Sequence, residues 1–162
     1  MALDWRGDEL VVDVGGGNGS LLVELVRRYP GLHGIVFDLP ETTRDEDVLS
    51  DRIEFVAGDF FERVPPGDVF ILSTILHDWG DEPAAGILRT IHAAGCREAR
   101  LIVLDSVVSP GNEPDGAKWL DLLMLALLGG CERDEVQWRT LLASAGFTPT
   151  TIRNGLIEAQ WR

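Results

Sequence analysis

Short apolar runs alternate along this chain with stretches of helical spacing. Leu10–Val14 is a compact strand that carries one acid, Asp13. Leu21, Leu22, Leu25 and Val26 then recur on one helical face, which predicts a helix over Gly19–Tyr29 closed by Pro30. Further strands are predicted at His33–Phe37, Ile53–Ala57, Asp68–Leu72 and Arg100–Leu104, the last a run of the kind that buried parallel strands show. Helices are predicted at Glu82–Ala94, Ala117–Leu127 and Asp134–Ala145. This alternation predicts an α/β sheet with helices on both faces. The chain ends on two strand-like runs, Phe147–Arg153 and Leu156–Trp161, around Asn154-Gly155, the signature of a β-hairpin with a type I′ turn. In a parallel doubly wound sheet that hairpin requires one edge strand to run antiparallel. Ser109–Asp115 (SPGNEPD) is the clear polar loop.

At 162 residues the chain has the length of one domain with one good core. The formal net charge of −13 argues against a phosphate-backbone partner, which would need clustered Lys and Arg. The apolar runs are too short for a membrane span, and no export signal is visible, so a cytoplasmic location is expected. Cys96 and Cys131 form no CxxC pair and are expected to be buried thiols in a reducing compartment.

The first strand runs into VVDVGGGNGS, where glycines let the backbone approach a ligand and the next helix opens toward it. The dinucleotide fingerprint G-x-G-x-x-G is not met, because its third glycine falls on Ser20. The spacing is instead G-x-G-x-G, at Gly15, Gly17 and Gly19. A tight strand-to-helix connection without a ligand would also use such a turn. Acids distinguish the two readings. Asp38, in Asp38-Leu39-Pro40, closes the second strand about twenty residues past the turn, where a carboxylate can accept both hydroxyls of a ribose. Asp59 closes the third strand beside Phe60, an acid for an exocyclic amine next to a flat face for adenine. Three acids at the carboxyl ends of strands suit a cationic ligand better than a pyrophosphate, and S-adenosylmethionine fits that description.

The segments VVDVGGGNGSLLVELVRRYPGLHGIVFDLP, RIEFVAGDFF, LHDWGDE and GGCERDEVQWRTLLASAGF together resemble the metal-independent S-adenosylmethionine-dependent O-methyltransferases, the group of plant caffeate and flavonoid enzymes and bacterial polyketide-tailoring enzymes. The likeness runs in order over almost the whole chain. It implies a class I methyltransferase fold: a Rossmann-like doubly wound sheet of seven strands, the last antiparallel. It also implies that the cofactor, S-adenosyl-L-methionine, lies along Asp13, Gly15, Gly17, Asp38, Leu39, Asp59, Phe60 and Ser73.

Methyl transfer to oxygen needs position and a base for the hydroxyl proton. His77, in the HDW that follows the fourth strand, is the candidate base, with a helix-capping or half-buried structural role as the alternative. His33 and His92 have no comparable context and are read as structural. The resemblance implies acidic partners for His77 at Glu132 and Asp105, although the family usually carries Glu at the second position. Glu132 could instead support the helix that starts near Asp134. Asp78 either contacts substrate or caps the next helix, and Trp79 and Met124 line either the acceptor pocket or the core. No His or carboxylate cluster has metal-ligand spacing, so no metal is expected.

Against the family pattern, the chain begins about ten residues before the first cofactor strand. The helical N-terminal half that forms the family's dimer and closes the acceptor pocket is therefore expected to be absent. ETTRDEDVLSD and the turn before Arg100 are shorter than usual. Apolar surface around WLDLLMLALLGG is then expected to be exposed and to drive self-association. The expected partner is a small hydroxylated aromatic or polyketide acceptor, not nucleic acid or membrane. Competing readings are a cofactor-binding module that is inactive without its other half, and a nicotinamide-dependent oxidoreductase, which the Ser20 mismatch and the Asp59-Phe60 pair weaken.

Overall fold

A computed structural model describes residues 3–42 and 51–162. The strands are β1 (Leu10–Val14), β2 (His33–Asp38), β3 (Ile53–Ala57), β4 (Val69–Ser73), β5 (Arg100–Leu104), β6 (Val107–Val108), β7 (Arg133–Asp134), β8 (Phe147–Arg153) and β9 (Leu156–Trp161). The helices are α1 (Ser20–Arg28), α2 (Asp81–Ala94), α3 (Gly116–Leu127) and α4 (Glu135–Ser144), with a single 3₁₀ turn at Leu76–Asp78. Among the described residues none of these helices is long and apolar enough to cross a membrane.

Seven strands form one sheet in the order β3-β2-β1-β4-β5-β9-β8, parallel except for β9. Residues alternate between its two faces, as the pleat requires. Val12, Phe70 and Leu72 pack toward α2 and α4 with Leu88, Trp138 and Trp161. Val11, Ile71 and Ile102 point the other way, with Leu22 and Val26 of α1. Both faces are covered, so the central strands β4 and β5 read as apolar runs broken only at their ends.

The C-terminal hairpin turns through Asn154 and Gly155, both at positive φ (49° and 76°), as a type I′ turn requires. The reversed strand is not at the edge, as the sequence suggested. β9 inserts between β5 and β8, and β8 takes the edge, where Pro149 sits beside a register shift and removes no central ladder bond. The two-residue ladder of β6 and β7 was not legible in so short a stretch. It matters because it brings Glu132 and Arg133 to the carboxyl end of β5. Cys96 is exposed in the turn after α2 and Cys131 is half-buried, so the expected pair of buried thiols fails. The shortened segment between β2 and β3 falls mostly within residues 43–50, outside the described residues.

Candidate active site

The strand order reverses between β1 and β4: the chain winds to β2 and β3 on one side and to β5 on the other. Open α/β sheets bind ligands at such a switch point, beyond the carboxyl ends of the strands. The parallel register puts Val14 beside Phe37, Asp38 beside Ala57 and Ser73 beside Leu104, so Gly15, Asp38, Ser73 and Asp105 share one rim.

The glycine turn is built for close approach. Gly15, Gly17 and Gly19 have φ of +74°, +57° and +84°, a region that glycine occupies at little cost. A Cβ on Gly15 would lie 2.5 Å from Ile75 Cδ1 and 3.8 Å from the Phe60 ring, whereas one on Gly17 would meet nothing within 4 Å. The turn thus leaves open space at Gly17 and borders Phe60 and Ile75 at Gly15. Its amides are mostly committed inside the protein. Gly15 N and Gly16 N donate to Phe37 O, Gly17 N to Asp38 Oδ2, Gly19 N to Gly16 O, and Ser20 N to Asn18 Oδ1. A pyrophosphate would need such donors free. The donor set suits a phosphate-free ligand.

The acids around the turn favour positive charge. Asp13 is buried, its Oδ2 has no hydrogen-bond partner, and a Cβ on Gly16 would lie 2.8 Å from that oxygen. Burial, with the nearby Asp38 charge, raises the Asp13 carboxyl to about 7. Asp38 already accepts from Gly17 N, Leu39 N and the Thr42 hydroxyl at 2.7–2.8 Å. A carboxylate offers about four acceptor positions, so accepting two ribose hydroxyls requires Thr42 to release its bond. Asp59 Oδ1 accepts from Phe61 N at 2.8 Å. Phe60, Phe61 and Trp79 meet edge-on at centroid distances of 4.9–6.3 Å and wall this side of the rim. Trp79 and Phe60 also pack against the core.

His77 sits on the 3₁₀ turn beyond β4. Its Nδ1 is 2.8 Å from Glu132 Oε1 and 3.8 Å from Asp105 Oδ1, and its Nε2 is 3.4 Å from Asp78 Oδ1. The side chains of Glu132 and Asp105 are fully buried. Because an ionised carboxylate only accepts, Nδ1 carries the proton toward Glu132, and Nε2 is left with the lone pair. Burial opposes the imidazolium, but the Glu132 hydrogen bond and the charges of Asp105, Glu132 and Asp78 outweigh it and raise the His77 pKa. Burial also pushes the Asp105 carboxyl up to about 7, against the pull of His77 and of the Leu76 amide that donates to its Oδ2 at 3.1 Å. His77, Glu132, Asp105 and Asp78 therefore form one cluster.

The capping alternatives do not describe the structure. Asp134 caps α4 with a full capping box to Gln137, which leaves Glu132 to His77. The N-cap of α2 is Gly80, so Asp78 caps nothing. Met124 is the buried residue of α3. His33 is exposed at the start of β2, and His92 stacks on Trp161 away from the rim.

Sequence reasoning missed the residues that hold His77 in place. Gly130 lies so close that a Cβ there would be 2.1 Å from His77 O. Cys131 N donates to that same carbonyl at 3.0 Å, and Asp121 Oδ1 accepts from Glu132 N at 2.8 Å. Arg133 is fully buried beneath the turn. The signal was present in GGCER, but nothing in a one-dimensional pattern marks an arginine as buried. Thr74, a β-branched residue at φ 55° just after β4, was also missed.

The O-methyltransferase domain family matches residues 1–148. The chain is 39% identical over 171 residues to phenazine O-methyltransferase PhzM of Lysobacter antibioticus, covering 98% of this chain and 50% of that protein. It is 44% identical over 163 residues to O-demethylpuromycin-O-methyltransferase of Streptomyces alboniger, covering 93% and 43%. The solved structure of the O-methyltransferase NcsB1 from neocarzinostatin biosynthesis, in complex with S-adenosyl-L-homocysteine and 1,4-dihydroxy-2-naphthoic acid, superposes with a TM-score of 0.86 at 33% identity over 99% of this chain and 51% of that one. The chain spans about half the length of the relatives it matches.

Proposed function

Because this chain belongs to the O-methyltransferase family, we propose that it is the cofactor-binding, methyl-transferring domain of an S-adenosylmethionine-dependent enzyme. The acceptor is a hydroxyl of a small aromatic or polyketide-type molecule, and His77 is the general base. The cofactor, when bound, supplies a methyl group on a sulfonium whose departing thioether is neutral. Asp13, Gly15, Gly17, Asp38, Leu39, Asp59, Phe60 and Ser73 would hold it. The observation that carries the reading is His77 tied through Nδ1 to the buried Glu132 at 2.8 Å. That bond fixes the ring and leaves Nε2 to take the acceptor's proton, while Glu132 and Asp105 stabilise the imidazolium that results. Relatives named for phenazine and puromycin O-methylation, and a neighbour solved with a dihydroxynaphthoic acid, support the acceptor class.

A second reading has its own support. α3 exposes Trp119, Leu122, Leu123, Leu125 and Leu127, and the chain has half the relatives' length. The domain would then bind cofactor but turn over only when further protein covers that face.

Calorimetric titration with S-adenosylhomocysteine, paired with a thermal melt, tests the common ground. Ligand at a hundredfold excess over Kd should stabilise by about 2.7 kcal/mol. Transfer of labelled methyl to 1,4-dihydroxy-2-naphthoic acid and related phenols then separates the two readings. His77→Ala should cut transfer by roughly 10²–10⁴-fold and leave S-adenosylhomocysteine affinity unchanged. A mutant that transferred methyl at the parent rate would remove His77 from the mechanism.

A further inference from the structure

The segment that delivers Glu132 to the His77 ring also delivers Arg133, whose guanidinium is fully buried. Its Nη1 donates to Leu76 O at 3.0 Å and, at 3.4 Å, to Cys131 O. Its Nη2 donates to Trp79 O at 2.8 Å, and its Nε to Asp81 Oδ1 at 2.9 Å. The Leu76 and Trp79 carbonyls bracket His77 in sequence, one at the first residue of the 3₁₀ turn and one just after its end. That turn has little holding it from within: its closing bonds, Asp78 N to Ile75 O and Trp79 N to Leu76 O, are 3.2 and 3.3 Å long, and no side chain caps it. Runs of 3₁₀ geometry are intrinsically weak. External anchors therefore set its position. Asp105 accepts from Leu76 N, Cys131 N donates to His77 O, and Arg133 ties the two flanking carbonyls to one rigid guanidinium whose Cζ lies 5.3 Å from the Trp138 ring centroid.

A cation buried beneath a surface turn is costly to desolvate, and Asp81, its carboxylate partner, is largely exposed. An apolar side chain of similar size would fill the space without that cost. What it could not supply is a planar fork whose donors fix two acceptors relative to each other. We propose that Arg133 is a positioning residue for His77: its fork sets the Leu76–Trp79 turn so that the imidazole meets Glu132 in line. Glu132 then orients the ring while its neighbour orients the backbone beneath it. This inference rests on the reading of His77 as the base.

Arg133→Lys keeps the charge and loses the fork, and Arg133→Met removes both. The chain contains only three histidines, so His77 can be followed through its ¹⁵N-labelled imidazole, assigned by the signals lost in His77→Gln. In both variants the His77 titration should fall toward the ordinary imidazole value of about 6.5 and the Nδ1 proton signal should vanish. His33 and His92 should be unmoved, and S-adenosylhomocysteine should bind as in the parent. With a phenolic acceptor, kcat should drop about tenfold or more at little change in KM, since misplacing a catalytic group costs the chemical step rather than binding. A parent-like titration and Nδ1 signal in folded Arg133→Lys or Arg133→Met would overturn the proposal. Should both variants fail to fold, Asp81→Ala releases only the Nε anchor from an exposed carboxylate. A shift of the His77 signals in the same direction then supports the proposal, and unchanged signals overturn it. The imidazole readout stands whether or not the chain transfers methyl, so a failure here is distinct from a failure of the proposed function.

Discussion

At the scale of single residues, the site is a balance of buried charge. Glu132, Asp105 and Asp78 all face one imidazole, and together they outweigh the burial that disfavours its cation. A general base works in its neutral form, so under the proposed role of His77 its raised pKa places the rising limb of the kcat–pH profile above about 6.5. That limb belongs to the cluster rather than to one group, because burial pushes the neighbouring Asp105 carboxyl up to about 7 and the charge of each group acts on the other. Glu132→Gln keeps an oxygen to accept from Nδ1 but removes a negative charge. The limb should therefore move to lower pH while the plateau rate falls. The same change acts on stability with a definite sign. A His whose folded pKa is raised adds stability that is fully present below its unfolded pKa and is lost as pH rises through the folded value. Glu132→Gln should then lower the melting temperature more at pH 5.5 than at pH 8.5. A limb that stayed in place or moved upward would show that Glu132 does not set the basicity of His77.

At the scale of elements, two loops build the candidate site, and the sequence exposed them unequally. The strand–glycine–helix turn was legible because its requirements are local: glycine takes the positive φ at Gly15, Gly17 and Gly19 at little cost, and each acid sits at or close to a strand end. His77 and Glu132 were named through resemblance, since 55 residues separate them and no spacing rule joins them. Gly130, Arg133 and the β6–β7 ladder act only through tertiary contact, and nothing in their own segment reports it. The hairpin and its antiparallel last strand were legible in the sequence, but not that β9 would lie inside β8, because pairing along the sheet is decided by β5. The two adjacent glycines give a matched test of what the loop does. Alanine at Gly130 would collide with the His77 and Asp78 backbone, and must push the 3₁₀ turn away. A displacement near 1 Å can cost about 10²-fold in rate, so Gly130→Ala should lose transfer on that order with the fold retained. Gly129 has φ +73° and open space around it, so Gly129→Ala should cost only about 1–2 kcal/mol of backbone strain and leave kcat near the parent value. Equal activity in the two variants would separate the loop from the catalytic turn.

At the scale of the whole molecule, α3 sets an apolar surface against an acidic one. Trp119 is 76% exposed and Leu127 68%, and Leu122, Leu125 and Leu128 extend the same surface. On this helix Met124 alone is buried. Contiguous apolar surface of this kind favours association, whereas a net charge of −13 opposes it at long range. The two differ in their response to salt: screening shortens the repulsion to about 8 Å at physiological ionic strength and leaves apolar contact intact. In the absence of other protein on that face, the sedimentation coefficient should rise with concentration, and more steeply at high salt than at low. Leu122→Glu with Leu125→Glu should abolish that rise without lowering the melting temperature, because both side chains are already in water. Affinity for S-adenosylhomocysteine should also stay unchanged, since neither residue belongs to the proposed cofactor site. Association that weakened as salt was added would mean that charge, not α3, joins the copies. A sharp monomer at every concentration would mean that the chain tolerates this face in water, and the case for a covering segment would then have to come from turnover alone.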